Sequence, residues 1–188
     1  DAFLALGHDA WSCDLLPSES PGPHIQNDAL YVARFDDWDV MIAFPPCTHL
    51  AVSGARWFNG KEREQEKAVA FFMALANQPI KHICIENPVG IMSTHWRKPD
   101  QIIQPFQFGH PESKKTCLWL KNLPKLTPTW TLSLPSRGHW NNQTPSGQNK
   151  LGPSPDRSRI RARTYDGIAL AMARQWTVFL SHNQTNNQ

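Results

Sequence analysis

Asp39-Val40-Met41-Ile42-Ala43-Phe44-Pro45-Pro46-Cys47 is the stretch on which the reading of the fold turns. Its apolar run, Asp39 to Phe44, is short, continuous and stopped by two prolines. A run of that length without polar alternation reads as a buried strand of a parallel sheet. Downstream, Glu62 to Asn77 sets Ala68, Phe71, Phe72 and Leu75 at helical spacing opposite a charged face. His82-Ile83-Cys84-Ile85 is a second buried strand, expected to end at Glu86, with Asn87 and Pro88 leaving it sharply. Thr116 to Leu120 is a third strand. Thr164 to Leu180 is a helix with Ile168, Met172 and Trp176 on one side. Strand, helix, strand, helix, strand predicts an open α/β sheet with helices on both faces. Ligands of such sheets bind outside the carboxyl ends of the strands.

Upstream, Asp1 to Leu6 reads as the end of a helix closed by Gly7. His8 to Cys13 is a short strand ending at Asp14, and Leu15 to Gln26 is a loop rich in Pro, Ser and Gly. Asp28 to Phe35 holds a short helical turn. A helix end followed directly by a strand implies a further element before Asp1. Asp100 to Pro105 is a short element, Leu123 to Asp156 mostly loop, and His182 to Gln188 a frayed polar end. The whole, residues 1–188, reads as a single domain.

Lysines and arginines number 19 against 16 acidic residues, a formal charge of +3. The basic residues crowd into the second half: Lys114, Lys115, Lys121, Lys125 and the run Arg157, Arg159, Arg161, Arg163. That half suits a phosphate backbone, or is a solvated basic face. No apolar run approaches the roughly 18–20 residues a membrane helix needs, so no membrane partner is expected. No signal-peptide pattern is present. The four cysteines form no CxxC pair, so no metal site is expected. Cys13, Cys84 and Cys117 lie in apolar segments and read as buried thiols of a reducing, cytoplasmic compartment.

Two motifs fall at strand ends. Cys47 follows two prolines, which stiffen the turn and aim the next side chain. A thiol so held suits nucleophilic attack, although a buried structural Cys is the commoner outcome at such a place. Glu86 closes an apolar strand, where a carboxylate is costly unless paired or protonated. Together they read as two reactive groups in one cleft, or, for Glu86, as the cap of the next segment.

The stretch Phe44-Pro45-Pro46-Cys47-Thr48-His49-Leu50-Ala51-Val52-Ser53-Gly54 resembles the Pro-Cys motif of cytosine-5 DNA methyltransferases. Glu86-Asn87-Pro88 resembles their Glu-Asn-Val motif, at a similar strand–helix–strand interval. Phe108-Gly109-His110-Pro111-Glu112-Ser113-Lys114-Lys115-Thr116 looks like a divergent Tyr-Gly-x-Pro-Gln-x-Arg-x-Arg stretch. Asp166-Gly167-Ile168-Ala169 looks like the final motif, which folds back beside the cofactor. The likeness is to the small, phage-type members and covers most of the chain.

The resemblance implies a Rossmann-like methyltransferase fold with a mostly parallel sheet, using S-adenosylmethionine on duplex DNA with a flipped-out cytosine. It implies that Cys47 adds to carbon 6 and that Glu86 assists at ring nitrogen 3. Asn87 would hold the active-site loop, and Lys114 and Lys115 would contact the base or its phosphate. Asp14 would bind the cofactor's ribose, Leu15 would pack on the adenine and Asp28 would read the adenine amino group. Pro46 would shape the pocket floor, and Gly167 would lie beside the cofactor. From the residues alone, Asp14 could equally begin a turn and Asp28 cap a helix. Phosphate contacts fall to Arg157, Arg159, Arg161 and Arg163. A monomer in the cytoplasm of a bacterial or phage-infected cell is expected.

The chain departs from the family in three places. The Gly-rich cofactor turn after the first strand is absent, so the catalytic domain reads as truncated at its N-terminus, with a gap or exposed edge in the sheet. Thr48 stands where Gln is usual, and Thr116 where a second Arg is usual. A short loop-rich region, 123–163, replaces the target-recognition domain. There Trp130, Trp140 and Arg137 either stack on bases or pack the loop against the body. The alternatives to DNA methylation are a pyrimidine-nucleotide C5-modifying enzyme and a decayed, non-catalytic DNA binder.

Overall fold

The computed structural model describes residues 1–35, 37–52 and 59–185. Ser53 and Gly54, the end of the Pro-Cys motif, lie outside the described residues, as do positions 186–188 of the polar tail. The chain divides into two compact units: Phe3–Ile102 with Thr116–Lys125, and Ile103–Lys115 with Leu126–Gln188.

The first unit is a mixed α/β structure. Strands β1 (Ser12–Asp14) and β2 (His24–Gln26) pair in parallel as a small sheet of their own. Helix α1 (Ala29–Phe35) follows. Strands β3 (Val40–Ala43), β4 (His82–Pro88), β5 (Gln101–Ile103) and β6 (Thr116–Lys121) form a second sheet in the order β3-β4-β6-β5. The β3–β4 pair is parallel, as expected, but β4–β6 is antiparallel, so the four-stranded sheet is mixed rather than mostly parallel. Strand β2 was expected to be loop: it has only three residues, one of them Ile, and proline, serine and glycine precede it.

Helix α2 (Glu62–Ala76) carries Glu62 and Glu64 in its first turn, favourable to the helix dipole. Its last carbonyls are met by Asn77 and Gln78: Asn77 Nδ2 donates to Met73 O and Gln78 Nε2 to Ala74 O. The apolar stripe buries Phe72 and Leu75 against Ile83, Ile85 and Trp119 of the sheet, with Met92 of the short helix α3 (Met92–His95) in the same cluster. Phe72 meets Trp119 edge-on at 5.2 Å and 84°. Truncating so fully buried a ring costs about 3–5 kcal/mol. Trp119 Nε1 donates to Arg97 O, and Arg97 is itself tied to Asp100 at 2.7 Å. Asp100 Oδ2 also accepts the Leu120 amide, so one carboxylate pins the strand edge to the segment before β5.

In the second unit, a 3-10 turn at Pro105–Gln107 is closed by a reciprocal Gln104–Gln107 capping box. Phe106 stacks on Trp140 at 4.7 Å with the ring planes nearly parallel. Helix α4 (Arg157–Ala162), not foreseen inside the 123–163 loop region, precedes α5 (Asp166–Thr185). Ile168, Ala171, Met172 and Trp176 of α5 are buried, matching the expected apolar side. Gln175 grips Thr127 by both backbone groups, each at 2.8 Å. Among the described residues no helix is long and apolar enough to cross a membrane.

Candidate functional site

Parallel pairing of β3 with β4 ends at Ala43 opposite Ile85. Glu86 and Asn87 therefore follow on β4 where Phe44 and Pro45 leave β3. Asn87 is buried and its Nδ2 donates to Pro45 O at 2.8 Å. A buried carbonyl left without water needs such a donor, so the amide fixes the start of the Pro-Pro-Cys turn. Asn87 Oδ1 is buried without a partner among the described residues. Beyond the prolines, Cys47 O accepts the amides of Leu50 and Ala51 at 3.0 and 2.9 Å, folding the chain back in a helical turn. The thiol of Cys47 is exposed.

The exit from that turn is locked to the exit from β4. Ala51 bridges Gly90, Val52 N donates to Val89 O, and Ile91 N donates to Leu50 O at 2.9 Å. A Cβ on Gly90 would lie 2.2 Å from Leu50 O, so only glycine admits this approach. A glycine two residues after Glu-Asn-Pro was the available signal for this contact, and reading the motif alone passed over it.

Glu86 is placed differently from the expectation. Strand β4 does not stop there but continues through Pro88, and Glu86 lies within it opposite Leu118. The antiparallel β6 sustains the pairing to Pro88–Thr116, and a proline at the last pair costs little ladder bonding. Because successive strand side chains alternate, Glu86 and Asn87 point to opposite faces of the sheet. Burial first, and then the charge of Glu86, push the Cys117 thiol up to about 11. Burial first, and then the charges of Glu86 and Asp100, also raise Cys84.

A thiol titration follows from these positions. Cys47 is expected to react rapidly with a thiol reagent in the folded protein, whereas Cys84 and Cys117, both buried, react only on unfolding. Their folded-state values lie above those of the unfolded chain, so their stabilisation is complete below about pH 8.5. It is lost as the pH rises toward the folded values, and the melting temperature is expected to fall across pH 9–11. Prompt labelling of three thiols at neutral pH would contradict this arrangement.

Of the residues expected at the cofactor, Asp14, Leu15 and Asp28 sit around β1 and α1. Asp14 ends β1 and its Oδ1 accepts Leu16 N at 2.9 Å, the turn-starting role. That leaves its second carboxylate oxygen for another donor. Leu15 is 70% exposed, and its carbonyl is held by Gln26 Nε2 at 3.0 Å. Asp28 caps α1 through Leu30 N at 2.7 Å. Pro46 is exposed in the Cys47 turn.

The other expected site residues belong to the second unit. Gly167 N donates to His110 Nε2 at 2.9 Å, which requires a neutral ring protonated on Nδ1. A Cβ on Gly167 would fall 2.1 Å from Phe108 O. Lys114 and Lys115 diverge in role. Lys114 Nζ donates to Arg161 O, capping the end of α4, while Lys115 is exposed. Gln104 Oε1 accepts the Lys114 amide, and Asn142 bonds both Ser113 N and Ser113 O. These clamps, and the 2.5 Å bond from Tyr165 OH to Glu112, hold the lysine loop. Amide side chains so far apart in sequence offered no local motif by which to find them. Arg157 Nη1 donates to Gly152 O, and Arg159, Arg161 and Arg163 are exposed on α4 and just after it. Among the described residues no cluster of His, Cys, Asp or Glu suits a metal.

Cys47 and Pro46 thus share a turn that Asn87 ties to β4 through Pro45, and Glu86 precedes Asn87 on that strand, on its other face. Asp14 and Leu15 share the loop after β1, with Asp28 capping the next helix. No family model, no curated protein and no solved structure matches this chain.

Proposed function

We propose that this chain is an S-adenosylmethionine-dependent DNA cytosine-5 methyltransferase, with Cys47 as nucleophile and Glu86 as its acid partner. The observation that carries the reading is the Asn87–Pro45 bond. It ties a rigid turn bearing an exposed thiol to the strand bearing a carboxylate. Such a pair suits addition to the 5,6 double bond of a pyrimidine. The Cys47 thiolate forms the bond to carbon 6. The displaced electron pair is accommodated as Glu86 protonates ring nitrogen 3, leaving carbon 5 nucleophilic. The bound cofactor supplies an electrophilic methyl group to carbon 5. Loss of the carbon 5 proton to a base then expels the Cys47 thiolate, and return of the nitrogen 3 proton to Glu86 restores the ring.

The donor set around β1 fits that cofactor. Asp14 keeps a carboxylate oxygen for a ribose hydroxyl, and exposed Leu15 offers apolar area to an adenine face. Asp28 is committed to capping α1 and fits less well. The parallel β1–β2 and β3–β4 pairs are compatible with a methyltransferase of the doubly wound kind.

Polymeric DNA is favoured over a free nucleotide by charge. The ranges of the second unit hold nine basic against three acidic residues, a formal +6. The test is to incubate the protein with duplex DNA and labelled S-adenosylmethionine, digest the DNA and identify the modified nucleoside by mass. 5-Methylcytosine is the expected product. Transfer to cytidine nucleotide but not to DNA would replace this reading by the nucleotide enzyme.

A further inference from the structure

Trp130 is the large aromatic side chain that the second unit leaves in solvent, at 68% exposed, whereas Trp140 is 8% exposed beneath Phe106. The backbone beneath Trp130 is nevertheless well held. Its amide donates to Gln107 O at 3.2 Å, and its carbonyl accepts Gly109 N at 2.9 Å. Leu132 N continues the pairing to Phe106 O at 2.8 Å. One edge of the indole rests on Gly109, where a Cβ would come within 3.1 Å of the ring. Leaving so large an apolar face in water is unfavourable, and holding it on a fixed backbone lowers the entropy lost when a flat partner stacks on it.

Contacts within the same unit lead from Trp130 to its arginines. Gly109 is followed by His110, whose ring lies 5.1 Å from Tyr165, and Lys114 Nζ lies 5.9 Å from the same ring. Lys114 in turn holds the end of α4 through Arg161 O. Helix α4 and the residue after it expose Arg159, Arg161 and Arg163. A fixed planar side chain on a unit of formal charge +6 matches a polyanion carrying flat, unpaired bases.

We propose that Trp130 is a stacking platform for an unpaired nucleobase, with Arg161 and Arg163 neutralising the adjoining phosphates. The proposal rests on the nucleic-acid reading of this unit and adds to it the residue that grips the base. It also separates the two tryptophans: Trp130 binds, and Trp140 packs.

The test is fluorescence anisotropy of a labelled single-stranded oligonucleotide titrated with the full chain at several salt concentrations. Trp130→Ala is expected to weaken binding roughly 5- to 100-fold with the salt slope unchanged. Trp130→Phe, which keeps a stacking face, is expected to retain most of the affinity. The double variant Arg161→Ala, Arg163→Ala is expected to flatten the salt slope by about 1.4. Trp11→Ala, a control at a tryptophan 50% exposed in the first unit, is expected to bind as the parent does. The substituted tryptophans are exposed, so melting temperatures should stay unchanged. Parental affinity in Trp130→Ala, an equal loss in Trp11→Ala, or no binding at low salt would each overturn the proposal. Trp130-dependent binding without 5-methylcytosine formation would uphold the platform while the catalytic reading fell. Methylation with binding indifferent to Trp130 would do the reverse.

Discussion

Cys47→Ala is expected to abolish methyl transfer, a loss of at least about a thousandfold, while leaving fold and DNA affinity as they are. The side chain is exposed and its removal opens no cavity. The hydrogen bonds that shape its turn run through its backbone carbonyl, to Leu50 N and Ala51 N, and survive the substitution. Activity and stability therefore part company at this position. Glu86→Gln is expected to be gentler, a loss of roughly a hundredfold to ten-thousandfold, because an amide keeps the hydrogen bond to the base but cannot protonate it. An active Cys47→Ala enzyme, assayed by labelled methyl transfer, would remove the nucleophile from the scheme.

Gly90→Ala is expected to damage stability and activity together. Its Cβ would stand 2.2 Å from Leu50 O and 2.9 Å from Leu50 C, backbone atoms that no rotamer change can move aside. Relief requires the two segments to separate, straining or breaking the Ile91 N to Leu50 O bond. Overpacking of this kind costs about 1–3 kcal/mol, a fall of roughly 2–12 °C in melting temperature for a chain of this size. The turn that presents Cys47 begins three residues before Leu50, so the shift reaches the thiol. A displacement of about 1 Å at a reacting atom can cost a hundredfold in rate. Gly152→Ala, where nothing lies within 4 Å of the added carbon, is the matching control and should be silent in both assays. Equal melting temperatures for the two variants would show that the Leu50–Gly90 approach is looser than described.

The apolar runs around Ile42 and Ile83 and the helical stripe through Phe72 were legible because burial leaves a pattern in the residues that carry it. The order and direction of strands were not. β6 has the same apolar character whether it runs parallel or antiparallel to β4, and only its pairing with Ile83 to Pro88 decides the direction. Pro88 was misleading for a related reason. A proline signals the end of a strand, yet here it occupies the last pair of the ladder, where its missing amide hydrogen matters least. At the site, Cys47 and Glu86 stood out because a thiol after two prolines and a carboxylate in an apolar strand are locally odd. Asn87 stood out through the resemblance, but its partner Pro45, 42 positions away in sequence, did not. Gln104 and Asn142, which clamp the lysine loop of the second unit, left no local sign. Asp14 was also readable as the start of a turn and Asp28 as a helix cap, and each makes that local bond.

The central claim, that Cys47 attacks carbon 6 of cytosine, can be tested without the cofactor. Reversible addition at carbon 6 lets solvent protonate carbon 5, and loss of either hydrogen there before the thiolate departs exchanges the carbon 5 proton with solvent. The measurement is mass analysis of deoxycytidine from DNA incubated with the protein in deuterium oxide. The account predicts incorporation of a single deuteron at carbon 5, absent with Cys47→Ala and slowed with Glu86→Gln. Exchange no faster than in buffer, or exchange undiminished in Cys47→Ala, would contradict it.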